Sequence, residues 1–338
     1  MKRLAPLALA AACLALTPGS VLAWGSTGHR LVGEAAMRVL PGELPAFLQT
    51  PQAVIDVGEY SREPDRAKGA GRVHDSNRDP GHFLDLSDDG TALGGPKLSG
   101  LPATRAEYET ALRAVGQDSW KAGYLPYEIF EGYQQLAQDF AYWRVLAYAE
   151  RAPQWRAHRA WFAADRRRRE ALIIRDLGVL SHFVGDGSQP LHVTIHYNGW
   201  GDLPNPQGYT GAPIHEPFES DIVNTAVKPE EVGAQLAPLR LCDCSIEQRL
   251  GRYLAATGSQ VEPLYQLEKA GGLVPGDPRG PAFATRLLAV GASELRDLVV
   301  QAWRDAVAPG RQIGWKPTSV VDMLAGKADP YPPLHGVD

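Results

Sequence analysis

The chain has 338 residues, of which 44% are hydrophobic and 22% charged, and its formal net charge is −5. That length supports one large core or two smaller ones. The negative balance argues against a broad basic face for duplex nucleic acid, although bound metal ions would override it locally, and beyond the N-terminal segment no apolar stretch reaches a membrane span.

Residues 1–23 read as a cleavable signal peptide, which would make the mature protein secreted or periplasmic. Lys2 and Arg3 open it, an apolar run covers 4–16, Pro18 and Gly19 break that run, and Val21-Leu22-Ala23 suits a signal peptidase. Ala10-Ala11-Ala12 before Cys13 makes a poor lipoprotein box. Cleavage after Ala23 would leave Trp24 at the new N-terminus, in the run Trp24-Gly25-Ser26-Thr27-Gly28-His29. A free α-amine titrates at about pH 8, low enough to bind a metal at neutral pH.

Helical periodicity dominates the rest. Apolar spacing predicts helices over 28–40, 104–115, 128–151, 154–186, 246–268 and 281–307. Thr104 and Glu107 form a capping box at the second of these. Loops rich in Gly and Pro fall at 63–81, 86–102, 199–213 and 271–281, and strand signals are sparse. The expected fold class is all-α: one multi-helical domain over 24–315, followed by an irregular Pro-rich tail over 316–338 that can wrap the body. The four arginines 166–169 read as a solvated helix face. Cys242 and Cys244, in a C-x-C pair, leave three fates open: a local bridge, a bridge between chains, or free thiols.

The chemistry concentrates in histidines and carboxylates. In Leu180-Ser181-His182-Phe183-Val184-Gly185-Asp186-Gly187-Ser188-Gln189-Pro190-Leu191-His192, His182 and Asp186 share one helical face, and Pro190 turns His192 back toward it. His215 and Glu219 repeat the i,i+4 spacing, with Pro217 tolerated in a first helical turn. Gly81-His82-Phe83-Leu84-Asp85 adds a histidine after a flexible loop, and Asp65 stands upstream, with Asp56, Asp79 and the pair His74-Asp75 as rivals. Imidazole nitrogen and carboxylate oxygen are ligands that catalytic zinc accepts. His196, close to His192, is expected in an outer shell or facing substrate, and His158 is expected to be exposed.

Over 24 to about 224 these residues resemble the superfamily of zinc-dependent phospholipases C and single-strand nucleases of the P-one and S-one type. The resemblance implies an almost wholly helical fold with three zinc ions in a cleft. It implies one zinc on Asp65, His82, His182 and Asp186, and a second on His192, His215 and Glu219. A third would sit on the amine and carbonyl of Trp24, on His29, and on Asp186 as a bridge. W-G-x-x-G-H and the spacing of His192 and His215 are similar to the nuclease branch. Glu219, where nucleases usually carry Asp, and Pro206-Gln207-Gly208-Tyr209 are similar to the phospholipase branch. Lys68, with Arg66 as rival, matches a basic residue that holds charge on the phosphate, and Phe83 and Asp85 match base-contacting positions. Tyr197 and Trp200 are further candidates to stack a base or pack a lipid head group, Trp200 also being readable as a loop anchor. The expected activity is hydrolysis of P–O bonds in single-stranded DNA or RNA, as a nuclease and 3′-nucleotidase. The alternatives are a phospholipase C on phosphatidylcholine-type lipids and a non-catalytic zinc-binding protein. No obligate protein partner is expected, and the chain is expected to be a monomer.

Overall fold

A computed structural model describes residues 24–201 and 204–336. The expected signal peptide lies outside the described residues. Among the described residues the regular structure is helical apart from one two-stranded sheet. Eight helices of nine residues or more carry the fold: α1 Gly25–Arg38, α2 Pro51–Tyr60, α3 Arg105–Ala114, α4 Leu125–Ala149, α5 Arg159–Asp186, α6 Ile246–Gly258, α7 Val261–Lys269 and α8 Arg279–Asp305.

The central element is α5, which packs against α1, α2, α4 and α8. Its first half is amphipathic, but every residue from Leu180 to Asp186 is buried. Two glycines permit this crowding. A Cβ on Gly178 would lie 2.4 Å from the Tyr60 Cβ, and one on Gly185 would lie 3.1 Å from His29 Nδ1. Gly178 has no room for a side chain and Gly185 little, so the Tyr60 backbone and the His29 ring lie directly against α5.

The capping box forms as expected: the Thr104 hydroxyl accepts from the Glu107 N–H, and the Glu107 carboxylate accepts from the Thr104 N–H. Several sequence expectations need correction. The helix expected over 246–268 is two helices, because Pro263 has no N–H to continue the ladder across the Ser259 carbonyl. The helix expected from 154 begins at Arg159, after a 3₁₀ segment Pro153–His158 kinked at Trp155. The tail is not irregular throughout. Gln312–Ile313 pairs antiparallel with Thr318–Ser319, and short helices Val320–Leu324 and Tyr331–His335 follow. Tyr331 stacks on His158 at 3.5 Å and meets Trp161 edge-on, so the tail covers the start of α5 and His158 is half-buried.

The arginine run is solvated only in part. Arg167 and Arg168 are exposed, but Arg166 binds Glu150 and Glu170, and Arg169 reaches the fully buried Asp139 at 2.5 Å. Cys242 and Cys244 are joined to each other in a local disulfide.

Candidate metal centre

The buried end of α5 is electrostatically unusual. Asp186 sits in the last turn of a 28-residue helix, fully buried, with no basic residue in that turn. A carboxylate beside the negative end of a helix dipole is unfavourable unless positive charge faces it. What faces it is imidazole. One Asp186 oxygen is 3.5 Å from His29 Nε2, and the other is 3.1 Å from His82 Nδ1 and 3.3 Å from His182 Nε2. The two oxygens of one carboxylate therefore point at different rings.

Each histidine comes from a different element. His29 lies in the second turn of α1 and stacks on His182, ring centroids 3.8 Å apart. His182 is turned by Ser61, the residue after α2, whose carbonyl no helical N–H claims. His182 Nδ1 donates to that oxygen at 2.8 Å, which directs Nε2 to within 2.8 Å of His82 Nδ1. His82 is the last residue of the 3₁₀ turn Asp79–His82, and its own carbonyl accepts from His192 Nδ1 at 2.6 Å. Asp65 arrives on the short turn Glu63–Arg66, with its carboxylate 3.9 Å from His29, His82 and His182. Lys68 lies 2.7 Å from the same carboxylate.

A third group lies beyond His192. Helical structure runs from His215 through a π-helical stretch, Pro217–Ile222, into Val223–Ala226. His215 Nδ1 donates to the Tyr197 carbonyl at 2.9 Å, and its Nε2 lies 2.9 Å from Glu219. His192 Nε2 is 3.7 Å from the same Glu219 oxygen. Ligand atoms thus gather in three groups, each within 4.8 Å: His29/His182/Asp186, Asp65/His82/His182 and His192/His215/Glu219.

The donor chemistry suits a cation. His182, His192 and His215 each spend the Nδ1 proton on a backbone carbonyl, so Nε2 is the nitrogen left to face inward, and it offers a metal a lone pair wherever it carries no proton. In the third group those nitrogens face a carboxylate, and His192, raised to about 9, carries a proton there that a metal would displace. Nε2 of His192 and His215, both ring nitrogens of His29 and one Asp186 oxygen are buried without a hydrogen-bond partner. Each such atom costs about 1–3 kcal/mol unless something positive engages it. Three buried groups of His, Asp and Glu could therefore hold metal ions.

The titration behaviour agrees. Burial, reinforced by neighbouring rings and Lys68, pushes His29 down to about 3 and His82 and His182 to about 4. These rings are neutral donors at neutral pH. Burial resists ionisation of Asp65, but His182 and Lys68 outweigh it and hold the carboxyl well below the usual range. Burial also opposes charge on His192, yet Glu219 and Asp186 drive it up to about 9. At 3.7 Å the Glu219 influence is through charge rather than a hydrogen bond, and it marks the group as a strong attractor of positive charge.

Trp24 is fully buried beside this centre. Its indole N–H donates to Ser188 Oγ at 2.9 Å, and its ring lies 5.5 Å from Phe218. Gly25 takes a φ of +35°, and a Cβ there would lie 3.0 Å from Ser220 Oγ and 3.8 Å from the Glu219 carbonyl. The start of α1 is thus wedged against the Glu219 turn.

Not every expected residue joins the centre. Arg66 is exposed and pairs with Glu63 at 2.7 Å, so Lys68 is the cation beside Asp65. Trp200 is corrected: His196 covers it at 3.8 Å, Tyr209 at 4.6 Å and Tyr265 at 5.1 Å, leaving no ring face for a base or a lipid. It anchors its loop. His196 is buried with it rather than facing substrate. Tyr197 is 44% exposed, and Phe83 and Asp85 are half-buried. Among the rivals of Asp65, Asp56 binds Gln52 and Asp75 binds His74. Sequence reading missed Ser61, which acts through its backbone oxygen, and Tyr253, whose hydroxyl donates to the Val184 carbonyl at 2.6 Å and braces the end of α5. No protein-family model matches this chain, and no curated protein matches it.

Proposed function

We propose that this chain is a secreted zinc-dependent phosphodiesterase of the phospholipase C and single-strand nuclease type, acting on single-stranded nucleic acid as a nuclease and 3′-nucleotidase. The observation that carries this reading is the convergence of three histidine–carboxylate groups on one buried centre, with Asp186 turning one oxygen to each of two of them. Zinc would be held by Asp65, His82, His182 and Asp186, by His192, His215 and Glu219, and by His29, Asp186 and the amine and carbonyl of Trp24 once residues 1–23 are removed. Bound there, it would supply neutralisation of phosphodiester charge and acidification of water.

The chain's own residues do the rest. Lys68, fixed 2.7 Å from Asp65, offers a cation to the phosphoryl oxygens. Phe83 and the exposed Tyr197 give stacking surface, which serves single strands whatever their sequence. Burial raises the Asp85 carboxyl to about 7, against the pull of His192, so at neutral pH a protonated fraction is available to donate to a base.

A second reading, a phospholipase C, is favoured by one feature. A cavity of about 240 Å³ is lined by Phe183, Leu180, Glu128, Glu131 and Asp176. Phe183 packs on His82 and His182, so an apolar wall with an acidic rim adjoins the centre and suits a cationic head group. One experiment separates the readings: purified mature protein with zinc, offered single-stranded DNA, RNA and phosphatidylcholine in parallel. Nucleotide release without diacylglycerol supports the nuclease, the reverse supports the lipase, and chelator-insensitive inertness toward all three refutes both.

A further inference from the structure

His196 and the loop 86–102 take no part in the centre as described, yet they meet each other beside it. His196 is buried, and both its ring nitrogens face oxygens: Nδ1 lies 3.0 Å from the Trp200 carbonyl and Nε2 lies 2.9 Å from Asp88 Oδ1. Neither oxygen can donate, so the ring is fixed in place between two acceptors. Its face is stacked on Trp200 at 12°. Asp88 is itself well placed, because Asp89 accepts from both the N–H and the hydroxyl of Thr91 and closes the turn that carries it. Ile195 N–H donates to the Leu86 carbonyl at 3.0 Å, so the two segments also join through backbone.

The segment clamped in this way aims a ligand. Directly after His196, the Tyr197 carbonyl accepts from His215 Nδ1, and Asn198 Oδ1 accepts from the His215 backbone N–H at 3.1 Å. The Tyr265 hydroxyl closes the far side: it donates to the His196 carbonyl at 2.7 Å and accepts from the Gly199 N–H at 3.0 Å. We propose that Asp88 and His196 are positioning residues for the His192/His215/Glu219 group, and that the loop 86–102 supplies Asp88 to this clamp. The inference rests on the metal-binding reading above. Partners that orient a metal-bound histidine typically contribute about 10- to 100-fold in metal affinity.

The test uses the full mature chain with cobalt(II) as the probe, titrated by visible absorbance and followed by zinc competition. Asp88→Asn, at a side chain 64% exposed, and His196→Gln are compared with the parent. The expected result is that one class of cobalt sites weakens by about 10- to 100-fold in both variants, with the remaining sites unchanged, and that Asp88→Glu restores it. Folding is checked by the far-UV helical signal. Unchanged affinity at every site in a folded Asp88→Asn protein would overturn the clamp. A parent protein that binds no cobalt would instead overturn the metal-binding reading on which the clamp depends.

Discussion

Removing metal with a chelator and lowering the pH from 7 to 5 should destabilise this fold steeply. The folded chain holds His29 at about 3 and His82 and His182 at about 4, burial being the leading cause in each. An unfolded histidine titrates at about 6.5. Between those limits the unfolded chain binds three protons that the folded chain refuses. Stability is therefore fully present above about pH 6.5 and falls as pH drops, with a limiting slope of about 4 kcal/mol per pH unit for three groups. His192 has the opposite sign. Raised to about 9, it is protonated in both states in the acid window, and its contribution is lost only as pH rises from 6.5 through 9. Halving the limiting slope for relaxation and water entry leaves roughly 3 kcal/mol lost by pH 5. Urea unfolding of the chelated protein at pH 7, 6 and 5 reads this directly. A stability that is flat or rises toward pH 5 would show that these rings are not held neutral, and would remove the electrostatic basis of the centre.

Other perturbations address single contacts. Asp186→Asn should remove two bound ions per chain at once while the His192/His215/Glu219 group keeps its own, as counted by elemental analysis. Glu219→Asp should be milder, with reduced affinity for one ion only; a larger loss than from Asp186→Asn would reverse the ranking of the two carboxylates. Gly178→Ala forces a Cβ to 2.4 Å from Tyr60 Cβ and should destabilise the protein by about 1–3 kcal/mol or more in urea unfolding. One extra residue ahead of Trp24 should displace the terminal amine and lose one ion, and unchanged metal content would show that the amine is no ligand.

Most of the helical frame was legible because its residues obey local rules. Leu177, Leu180 and Phe183 repeat at helical spacing, and Thr104 with Glu107 announces a helix start that the structure keeps. The errors came where a local pattern was read without its long-range partner. His158 looked exposed because its partner, Tyr331, lies in the tail. Trp200 in a Gly-rich loop was equally consistent with a stacking platform and an anchor, and only the positions of His196 and Tyr265 decide between them. The split between α6 and α7 follows from Pro263, a local signal that continuous apolar spacing on either side of it masks. In the centre, residue types and i,i+4 spacing pointed to His182/Asp186 and His215/Glu219, which the structure does bring together at 3.3 Å and 2.9 Å. Sequence could not choose between Arg66 and Lys68, two positions in one turn, since the choice depends on which side of that turn meets Asp65. Nor could it reveal the carbonyls of Ser61, His82 and Tyr197, because any residue type supplies the same oxygen.

The most direct measurement is anomalous X-ray scattering at the zinc edge from crystals of the mature chain grown with zinc. Three peaks are expected, all among the side chains of His29, Asp65, His82, His182, Asp186, His192, His215 and Glu219. An absence of peaks there, with zinc confined to surface side chains, would contradict the metal-binding reading.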